Sequence, residues 1–293
     1  MQSIHEPVLP DEVLHWLQPQ PGQLFVDGTL GGGGHTRMLA QAVGASGQVI
    51  ALDRDRQAVA RMQAEQSALP IRAFHANYCE LPQLLDELEV DLVHGVLIDL
   101  GLSSDQLEDA SRGFSYTAQG TLDMRFDLQQ DEPAWQWLAR VEEKELADTI
   151  YKYGEERLSR RIAKTIVECR RQRPIETAEQ LAAIVSRCVP RSKGHGIHPA
   201  TRTFQAIRIA VNDELGSLER GLKSIPDRLK PGGRLVIISF HSLEDRLVKY
   251  AFRGDERLKV LTKKPVRPGE SEQQRNKRSR SSKLRAAERI GNK

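Results

Sequence analysis

The N-terminal part of the chain alternates between short apolar runs and segments whose apolar residues recur at helical spacing. Short runs that end at polar or glycine residues predict buried strands, and the segments between them predict amphipathic helices. Strands are predicted over 24–27, 48–53, 71–75, 93–101 and 235–241, with 259–262 and 283–290 as the last two. Helices are predicted over 7–17 and 36–43, and a third ends at Ala64. This alternation favours an α/β fold with a parallel sheet.

The middle of the chain lacks the strand pattern. Helical patterns cover 134–141, 143–151, 155–171 and 178–188, and another begins near Arg202 with Phe204, Ile207 and Val211 on one face. We therefore predict a sheet domain in two parts, residues 1–106 and 201–293, interrupted by a helical insertion over 107–200.

Turn and cap signals punctuate the last third. A turn is predicted over 229–234, before the fifth strand, and a loop over 265–274. Ser242 followed by Asp245 resembles a capping box and predicts that Ser242 caps the next helix.

A glycine-rich loop follows the first predicted strand, which ends at Asp27. Four consecutive glycines, Gly31 to Gly34, lead into a helical pattern. Glycine permits positive φ and a close approach of the backbone to a ligand, and ligands of open α/β sheets bind at the carboxyl ends of the strands. The dinucleotide fingerprint G-x-G-x-x-G fails, because Thr36 or Arg37 stands at its third glycine position, and no P-loop lysine follows. A carboxylate at Asp27 would repel a diphosphate but suits a cationic amine, which favours S-adenosylmethionine.

Two further predicted strands carry an aspartate at their ends. Asp53 follows the glycine loop at about 20 residues, the spacing at which a carboxylate accepts the ribose hydroxyls of an adenosine. Asp99 closes the fourth strand. Three strand-end carboxylates share one edge of a parallel sheet, which a polar, partly cationic ligand explains better than three separate caps. Tyr78 is a candidate for packing beside an adenine, with an ordinary half-buried aromatic as the alternative.

Charge is distributed unevenly along the chain. The formal net charge is +3, but residues 263–293 hold eleven Lys and Arg against three Asp and Glu, and the remainder is net −5. A basic tail on a mildly acidic body indicates a polyanionic partner such as nucleic acid, with a solvated tail as the alternative. Basic residues of the insertion are further candidates for phosphate contacts: Arg160, Arg161, Lys164, Arg170, Arg171, Arg173, Arg187, Arg191 and Lys193.

Several classes of protein are disfavoured. No apolar run approaches the roughly 20 residues that span a membrane, and the N-terminus lacks the basic and apolar regions of a secretory signal. The three cysteines, Cys79, Cys169 and Cys188, form no C-x-x-C pair, which is typical of a reduced cytoplasm. His195 and His198 have the spacing of metal ligands, but no cysteine or third histidine joins them, so no metal site is predicted.

Several distinctive motifs, each different, are spread over nearly the whole chain. They are HEPVL at 5–9, DGTLGGGGH at 27–35, DLGLSS at 99–104 with Gln106, RGFS at 112–115, LDMR at 122–125, HPATR at 198–202, SFHSLED at 239–245 and RSRSSKLR at 278–285. Together they resemble one family, the bacterial 16S ribosomal RNA methyltransferases that methylate cytosine N4, the H-type enzymes of the small subunit.

The resemblance implies a class I S-adenosylmethionine-dependent methyltransferase fold, Rossmann-like with a mostly parallel seven-stranded sheet and an inserted helical domain for substrate recognition. It implies S-adenosylmethionine as cofactor. The implied substrate is a cytidine in the decoding region of 16S rRNA within the small ribosomal subunit. The oligomeric state stays open, with a homodimer as one alternative.

The resemblance also assigns cofactor contacts. They fall on Gly33, Gly34, His35, Asp53, Tyr78, Asp99 and Gln106, to which the charge argument adds Asp27. The family commonly has Phe where this chain has Tyr78, and ring stacking would survive that change. Phe126 replaces a Met of the family pattern and leaves the assignment intact.

The catalytic residues are hypotheses. Cytosine N4 is conjugated into its ring, so an enzyme must place it in line with the methyl group and offer an acceptor for an N4 proton. Other N4-cytosine and N6-adenine methyltransferases carry an Asp/Asn/Ser-Pro-Pro-aromatic segment after strand four, which residues 99–104 lack. The candidates are Asp99, Ser103 and Ser104 after the fourth strand, with Asp123, Asn212 and His241 from the insertion and the fifth strand. For Asn212 and His241 a structural capping role is the alternative.

Other functions stay open at this stage. A non-catalytic RNA-binding or ribosome-assembly factor would bind RNA without affinity for S-adenosylmethionine. A nicotinamide-dependent oxidoreductase is disfavoured by the failed glycine fingerprint. A methyltransferase of DNA or of adenine would share the fold, since the fold alone does not decide the substrate.

Overall fold

The computed structural model describes residues 7–65, 68–117, 120–129, 132–189 and 198–291. The chain divides into two compact units. The first, which we call the sheet unit, comprises residues 1–103 and 215–293, and the second, the helical unit, is Ser104–Glu214. Four residues singled out by sequence, His5, Arg191, Lys193 and His195, lie outside the described residues.

One sheet of seven strands organises the described part of the sheet unit, in the order β3-β2-β1-β4-β5-β7-β6. The strands are β1 Leu24–Asp27, β2 Gln48–Asp53, β3 Ile71–His75, β4 Val93–Asp99, β5 Leu229–Ser239, β6 Leu258–Val260 and β7 Lys283–Arg289. Strands β1 to β5 run parallel to one another, while β7 runs antiparallel to both β5 and β6. All seven predicted strands are thus confirmed, and the carboxyl ends of β1, β2 and β4 lie at one edge.

Helices cover both faces of this sheet. They are α1 Pro10–Leu17, α2 Gly34–Val43, α3 Arg56–Ala64 and α4 Leu81–Glu87, and after the helical unit α11 Glu214–Ser224, α12 Ser242–Gly254 and α13 Glu270–Arg275. Alternating strand residues point to opposite faces: Phe25 packs in one buried cluster with residues of α1 and α2, and Val26 in another with residues of α4, α11 and α12. Burial on both faces explains why the strands read as continuous apolar runs.

The described part of the basic segment, residues 263–291, packs into the sheet unit and is not a free tail, although its excess of basic residues stands. Its strand β7 is inserted between β5 and β6, and Arg285 is only 6% exposed. The Arg285 guanidinium donates to Asp245 with 2.6 Å between Nε and Oδ1, and Lys283 pairs with the same carboxylate at 3.4 Å. Two of the basic residues that the sequence offered as contacts for a polyanion, Lys283 and Arg285, therefore form internal ion pairs.

Two local predictions for the last third of the chain, the turn over 229–234 and the loop over 265–274, differ from the structure. Strand β5 begins at Leu229 rather than 235, because the predicted turn is accommodated as an irregularity in its pairing with β4, with Gly232 at φ +79°. The predicted loop over 265–274 contains α13, whose buried Glu272 accepts a hydrogen bond from Leu9 N at 2.8 Å. That bond joins residues far apart in sequence, which a local pattern does not reveal.

The cap of α12 also differs from the prediction. The helix begins at Ser242, and the residue that caps it is His241, with Glu244 rather than Asp245 as the reciprocal partner. Glu244 N donates to His241 Nδ1, and the Glu244 carboxylate accepts from the backbone N of Phe240 at 2.8 Å. The expected Ser–Asp capping box is therefore displaced by one residue.

The helical unit contains α5 Ser104–Glu108, α6 Ala134–Arg140, α7 Glu143–Gly154, α8 Ser159–Gln172, α9 Ala178–Cys188 and α10 Thr201–Asn212. Helix α9 has the bounds expected from the sequence and is capped by Thr177 with Gln180. Helix α8 begins four residues later than expected because Glu155 takes a left-handed conformation, φ +50°, and Glu156 accepts from Leu158 N.

Helix α10 belongs to the helical unit, whereas the sequence-based division assigned residues from 201 onward to the sheet domain. The physical reason is close packing on α7. A Cβ at Gly154 would lie 2.5 Å from Arg202 O, and Gln205 Nε2 donates to Tyr153 O at 3.0 Å. In the described part of the chain, no helix is long and apolar enough to cross a bilayer.

Candidate active site

Asp27 lies beneath the glycine loop and is fully buried. Its carboxylate accepts from the Thr36 hydroxyl at 2.6 Å and from the backbone N of Thr29 at 3.1 Å. Burial raises the pKa of Asp27 to about 7, although these hydrogen bonds oppose the rise. The carboxylate therefore bonds to residues before and after the four glycines, Thr29 and Thr36. The sequence analysis considered only its charge toward a ligand and did not predict this structural role.

Two more hydrogen bonds tie the loop to its neighbouring strands. The backbone N of Asp99, at the end of β4, donates to Thr29 Oγ1 at 2.7 Å, and Gly31 N donates to Asp53 Oδ2 at 2.7 Å. The other oxygen of Asp53 accepts from Asp55 N at 2.8 Å. Burial raises the pKa of Asp53 to about 6, and the bonds from Asp55 and Gly31 counteract it. The ends of β1, β2 and β4 are thus held together as one polar edge.

The glycines are required by backbone conformation and by packing. Gly31 and Gly33 have φ of +50° and +78°, which L-residues rarely adopt. A Cβ at Gly33 would lie 2.4 Å from Met62 Cε, and one at Gly34, the first residue of α2, would lie 3.1 Å from Pro7 Cδ. These contacts explain why bulkier residues would disturb the loop at the carboxyl edge of the sheet.

Asp99 offers a buried acceptor. Among the described residues no hydrogen-bond donor reaches its Oδ1 atom, and its side chain is 14% exposed. Burial, and next the nearby charge of Asp27, raise the pKa of Asp99 to about 8, while the charge of Arg278 counteracts them. A buried carboxyl oxygen without a donor is costly unless a ligand supplies one, so this position suits a hydrogen-bond donor or a cation.

His35 lies beside this carboxyl. Its Nε2 is 2.9 Å from the carbonyl oxygen of Val8, so Nε2 carries a proton that is donated to that oxygen. This bond orients the ring so that Nδ1 lies 3.7 Å from Asp99 Oδ2. The structure thus brings His35, Asp27, Asp53 and Asp99 of the predicted set to one edge of the sheet.

Tyr78 is placed in the core. The residue is 9% exposed. A Cβ at Gly28 would lie 2.9 Å from Tyr78 Cβ, and one at Gly221 of α11 would lie 3.1 Å from Tyr78 Cδ2. The ring therefore packs between the start of the loop and a helix, and stacking on an adenine stays a prediction.

The segment after β4 borders the loop within the sheet unit. A Cβ at Gly31 would lie 3.5 Å from Ser103 Cβ. The guanidinium of Arg278 donates to the carbonyl oxygen of Leu102, so this residue supports the segment that carries Ser103. Sequence reasoning missed Arg278 as a site residue, although it opens the RSRSSKLR motif at 278–285, because its charge was assigned to a tail.

The other catalytic candidates have structural partners already. In the helical unit Asn212 is buried, its Oδ1 accepts from Phe126 N at 2.7 Å, and its Nδ2 donates to Met124 O at 2.7 Å. The Asp123 carboxylate pairs with Arg125, with 2.7 Å between Oδ2 and Nη2. In the sheet unit His241 caps α12.

Ser104 and Gln106 lie on the short helix α5 of the helical unit, and Gln106 is buried. Asp99 and Ser103 thus belong to the sheet unit, whereas Ser104, Gln106, Asp123 and Asn212 belong to the helical unit.

The architecture and this edge define a class. The sheet has five parallel strands and an antiparallel β7 between β5 and β6. A glycine loop follows β1, and carboxylates end β1, β2 and β4. This is the fold of a class I methyltransferase, which uses S-adenosylmethionine as methyl donor. Within that class, the chain belongs to the MraW methylase family, which it matches over residues 2–290.

Curated relatives cover almost the entire chain. A protein named ribosomal RNA small subunit methyltransferase H from Rhodopirellula baltica is 51% identical, covering 99% of this chain and 92% of its own length. One of the same name from Deinococcus deserti is 52% identical, covering 98% and 94%. Among solved structures, that of PH0851 has a TM-score of 0.50 at 14% identity, covering 98% of this chain and 47% of its own, a likeness of fold alone.

Proposed function

We propose that this chain transfers the methyl group of S-adenosylmethionine to the exocyclic N4 of a cytidine in the decoding region of 16S rRNA, within the small ribosomal subunit, by direct in-line transfer. The relatives named above, about half identical over nearly the full chain, support a small-subunit rRNA substrate. The observation that carries the proposal within the molecule is the buried Oδ1 of Asp99, which has no donor among the described residues. A cytoplasmic location follows from this substrate.

The polar edge fits the donor. S-adenosylmethionine, when bound, supplies a methyl group activated on a sulfonium. Asp99 would accept a hydrogen bond from its amino group, because an ammonium both satisfies Oδ1 and favours the charged carboxylate. Asp53 would accept from the ribose hydroxyls, since each carboxylate oxygen retains a lone pair beyond its bond to Gly31 or Asp55. Gly33, Gly34 and His35 would line the loop side.

The reaction requires positioning and one proton acceptor. The N4 nitrogen forms a bond to the methyl carbon while the carbon–sulfur bond breaks, and one N4 proton leaves. Asp99 ends β4, and Ser103 and Ser104 follow it, where other amino methyltransferases carry their catalytic segment. We propose these three as acceptors of a hydrogen bond from N4, with the carboxylate of Asp99 as the group that takes the departing proton. Asp123, Asn212 and His241 are less suited, because an ion pair, two backbone hydrogen bonds and a helix cap already engage them.

The first experiment follows labelled methyl from S-adenosylmethionine into 30S subunits, free 16S rRNA and DNA, with nucleoside analysis of each product. We expect label as N4-methylcytidine in the RNA of the 30S subunits. Label in DNA or on adenine would contradict the proposed substrate, and absence of both transfer and cofactor binding would contradict the enzymatic function.

A second experiment separates binding from chemistry at Asp99. The variants Asp99→Ala and Ser103→Ala are compared for S-adenosylmethionine affinity and for turnover at saturating cofactor. If Asp99 accepts the N4 proton, turnover of Asp99→Ala stays low at saturation, whereas full turnover would remove Asp99 from the mechanism.

A further inference from the structure

One face of α8 carries a row of cations. Arg160, Arg161, Lys164 and Arg171 are exposed and lie within about a third of the helix circumference, because their spacings of 1, 3 and 7 residues keep them near one stripe at 100° per residue. The row spans about 16 Å along the helix axis. Glu168 is the one acidic residue of α8 and lies in the same stripe. We call these four residues the α8 basic row.

The buried face of α8, which adjoins the row, holds the helix in place. Ile162, Ala163, Ile166 and Val167 are all buried, at 0–4% exposure. Apolar packing along the whole inner face fixes the rotation of the helix about its axis. The basic row is therefore displayed outward as a consequence of the core of the helical unit.

The charges of the row are largely uncompensated. Lys164 lies 3.9 Å from Glu168, both more than half exposed, and within the described residues Arg160, Arg161 and Arg171 form no ion pair. The neighbouring Arg170 differs, because its guanidinium donates to the carbonyl oxygen of Leu138. The structure thus divides the basic residues of α8, which the sequence alone could not, into one internal contact, from Arg170, and an exposed row.

We infer that the α8 basic row binds the sugar–phosphate backbone of RNA. A row of this length is long enough to reach more than one phosphate, since successive phosphates along one strand of duplex DNA, for comparison, rise by about 3.4 Å. Arginine is suited to phosphate because its planar guanidinium donates two parallel hydrogen bonds. Such contacts position an RNA without reading its sequence. This inference rests on the proposed function, in which rRNA is the substrate.

The test compares two triple variants of the full chain. Arg160→Gln/Arg161→Gln/Arg171→Gln neutralises the row, and Lys223→Gln/Arg253→Gln/Lys259→Gln removes the same charge from exposed positions of the sheet unit. Binding of a 16S rRNA fragment is measured by fluorescence anisotropy over a range of salt. We expect the row variant to bind at least about tenfold more weakly at physiological salt, with a slope of log affinity against log salt reduced by about 2–3, and the control variant to change far less.

Two further readouts distinguish the possible failures. Both variants should keep the wild-type affinity for S-adenosylmethionine, which shows that they fold. If the wild type methylates the RNA but the row variant retains its affinity and salt slope, or falls no further than the control, the inference is overturned while the proposed function stands. An acidic protein as the true partner would give that same result. If the wild type neither binds cofactor nor methylates RNA, the proposed function fails, and this inference fails with it.

Discussion

The carboxylate of Asp53 accepts a hydrogen bond from the backbone N–H of Gly31, with 2.7 Å between Oδ2 and N. Its second oxygen accepts from Asp55 N, next to the start of α3. One strand-end carboxylate therefore fixes the glycine loop in addition to any contact with a ribose, so its removal should disturb loop and ligand together.

Asp53→Ala should weaken S-adenosylmethionine binding by about 10- to 100-fold, because hydrogen bonds to a charged acceptor contribute about 1.5–3 kcal/mol. Calorimetric titration measures this, with the exposed Glu87→Ala as control. Asp53→Asn keeps one acceptor oxygen, so its affinity for S-adenosylmethionine should lie between those of the wild type and Asp53→Ala. Equal affinity of Asp53→Ala and wild type would contradict a cofactor role for Asp53.

Cofactor affinity should rise with pH between about 6 and 7.5. Burial raises the pKa of Asp99 to about 8, so the unligated carboxyl is largely protonated there. An ammonium beside it favours the charged form, so binding releases a proton, and affinity increases by up to about tenfold per pH unit. Binding measured over this range should show a shallower slope in Asp99→Asn than in wild type. Asp27 and Asp53 remain titratable in both proteins, so an unchanged slope would show that Asp99 is not the group that releases the proton.

Stability of the unligated chain should change with pH in the opposite direction. The folded pKa values of Asp27 and Asp99, about 7 and 8, lie above the ordinary value of 3.8. At these two groups the folded state therefore holds more protons than the unfolded chain. The stability that they contribute is fully present below pH 3.8 and declines as pH rises toward 8, by at most about 1.4 kcal/mol per unit for each group. Urea unfolding at several pH values tests this. Asp99→Asn should show a smaller decline and exceed wild-type stability near pH 8.5; a steeper decline in the variant would refute the assignment.

Arg285 and Arg280 lie close together in sequence but should behave differently. Arg285 is buried and bonded to Asp245, so Arg285→Ala should destabilise the chain by about 2–4 kcal/mol, because it removes a buried side chain and leaves the partly buried Asp245 carboxylate only its longer contact with Lys283. Arg280 is exposed, so Arg280→Gln should change the free energy of unfolding by less than about 0.5 kcal/mol. Denaturant midpoints of the two variants provide the comparison. Equal stability of both would support the free-tail interpretation that the fold contradicts.

Long-range partners account for most of the errors in the sequence analysis. The pairing of Arg285 with Asp245 and of Leu9 N with Glu272 joins segments that no local window contains. The predicted Ser242 cap moved to His241, because a histidine nitrogen can accept the same backbone hydrogen bond as a hydroxyl oxygen. Asn212 bonds to the backbone of Met124 and Phe126, which matches the structural role given as its alternative, and its catalytic role stays a prediction.

The sequence by itself determined the strands, most of the helices and the three aspartates at the carboxyl edge of the sheet. Each of these follows from local periodicity, since a buried strand must be apolar and its polar end must emerge at an edge. The tertiary structure decided which charges are internal and which are displayed. Arg278 and Arg285 make internal contacts in the sheet unit, with Leu102 O and Asp245, whereas the α8 basic row is exposed. The physical reason is that a charge is buried only where another part of the fold supplies its partner.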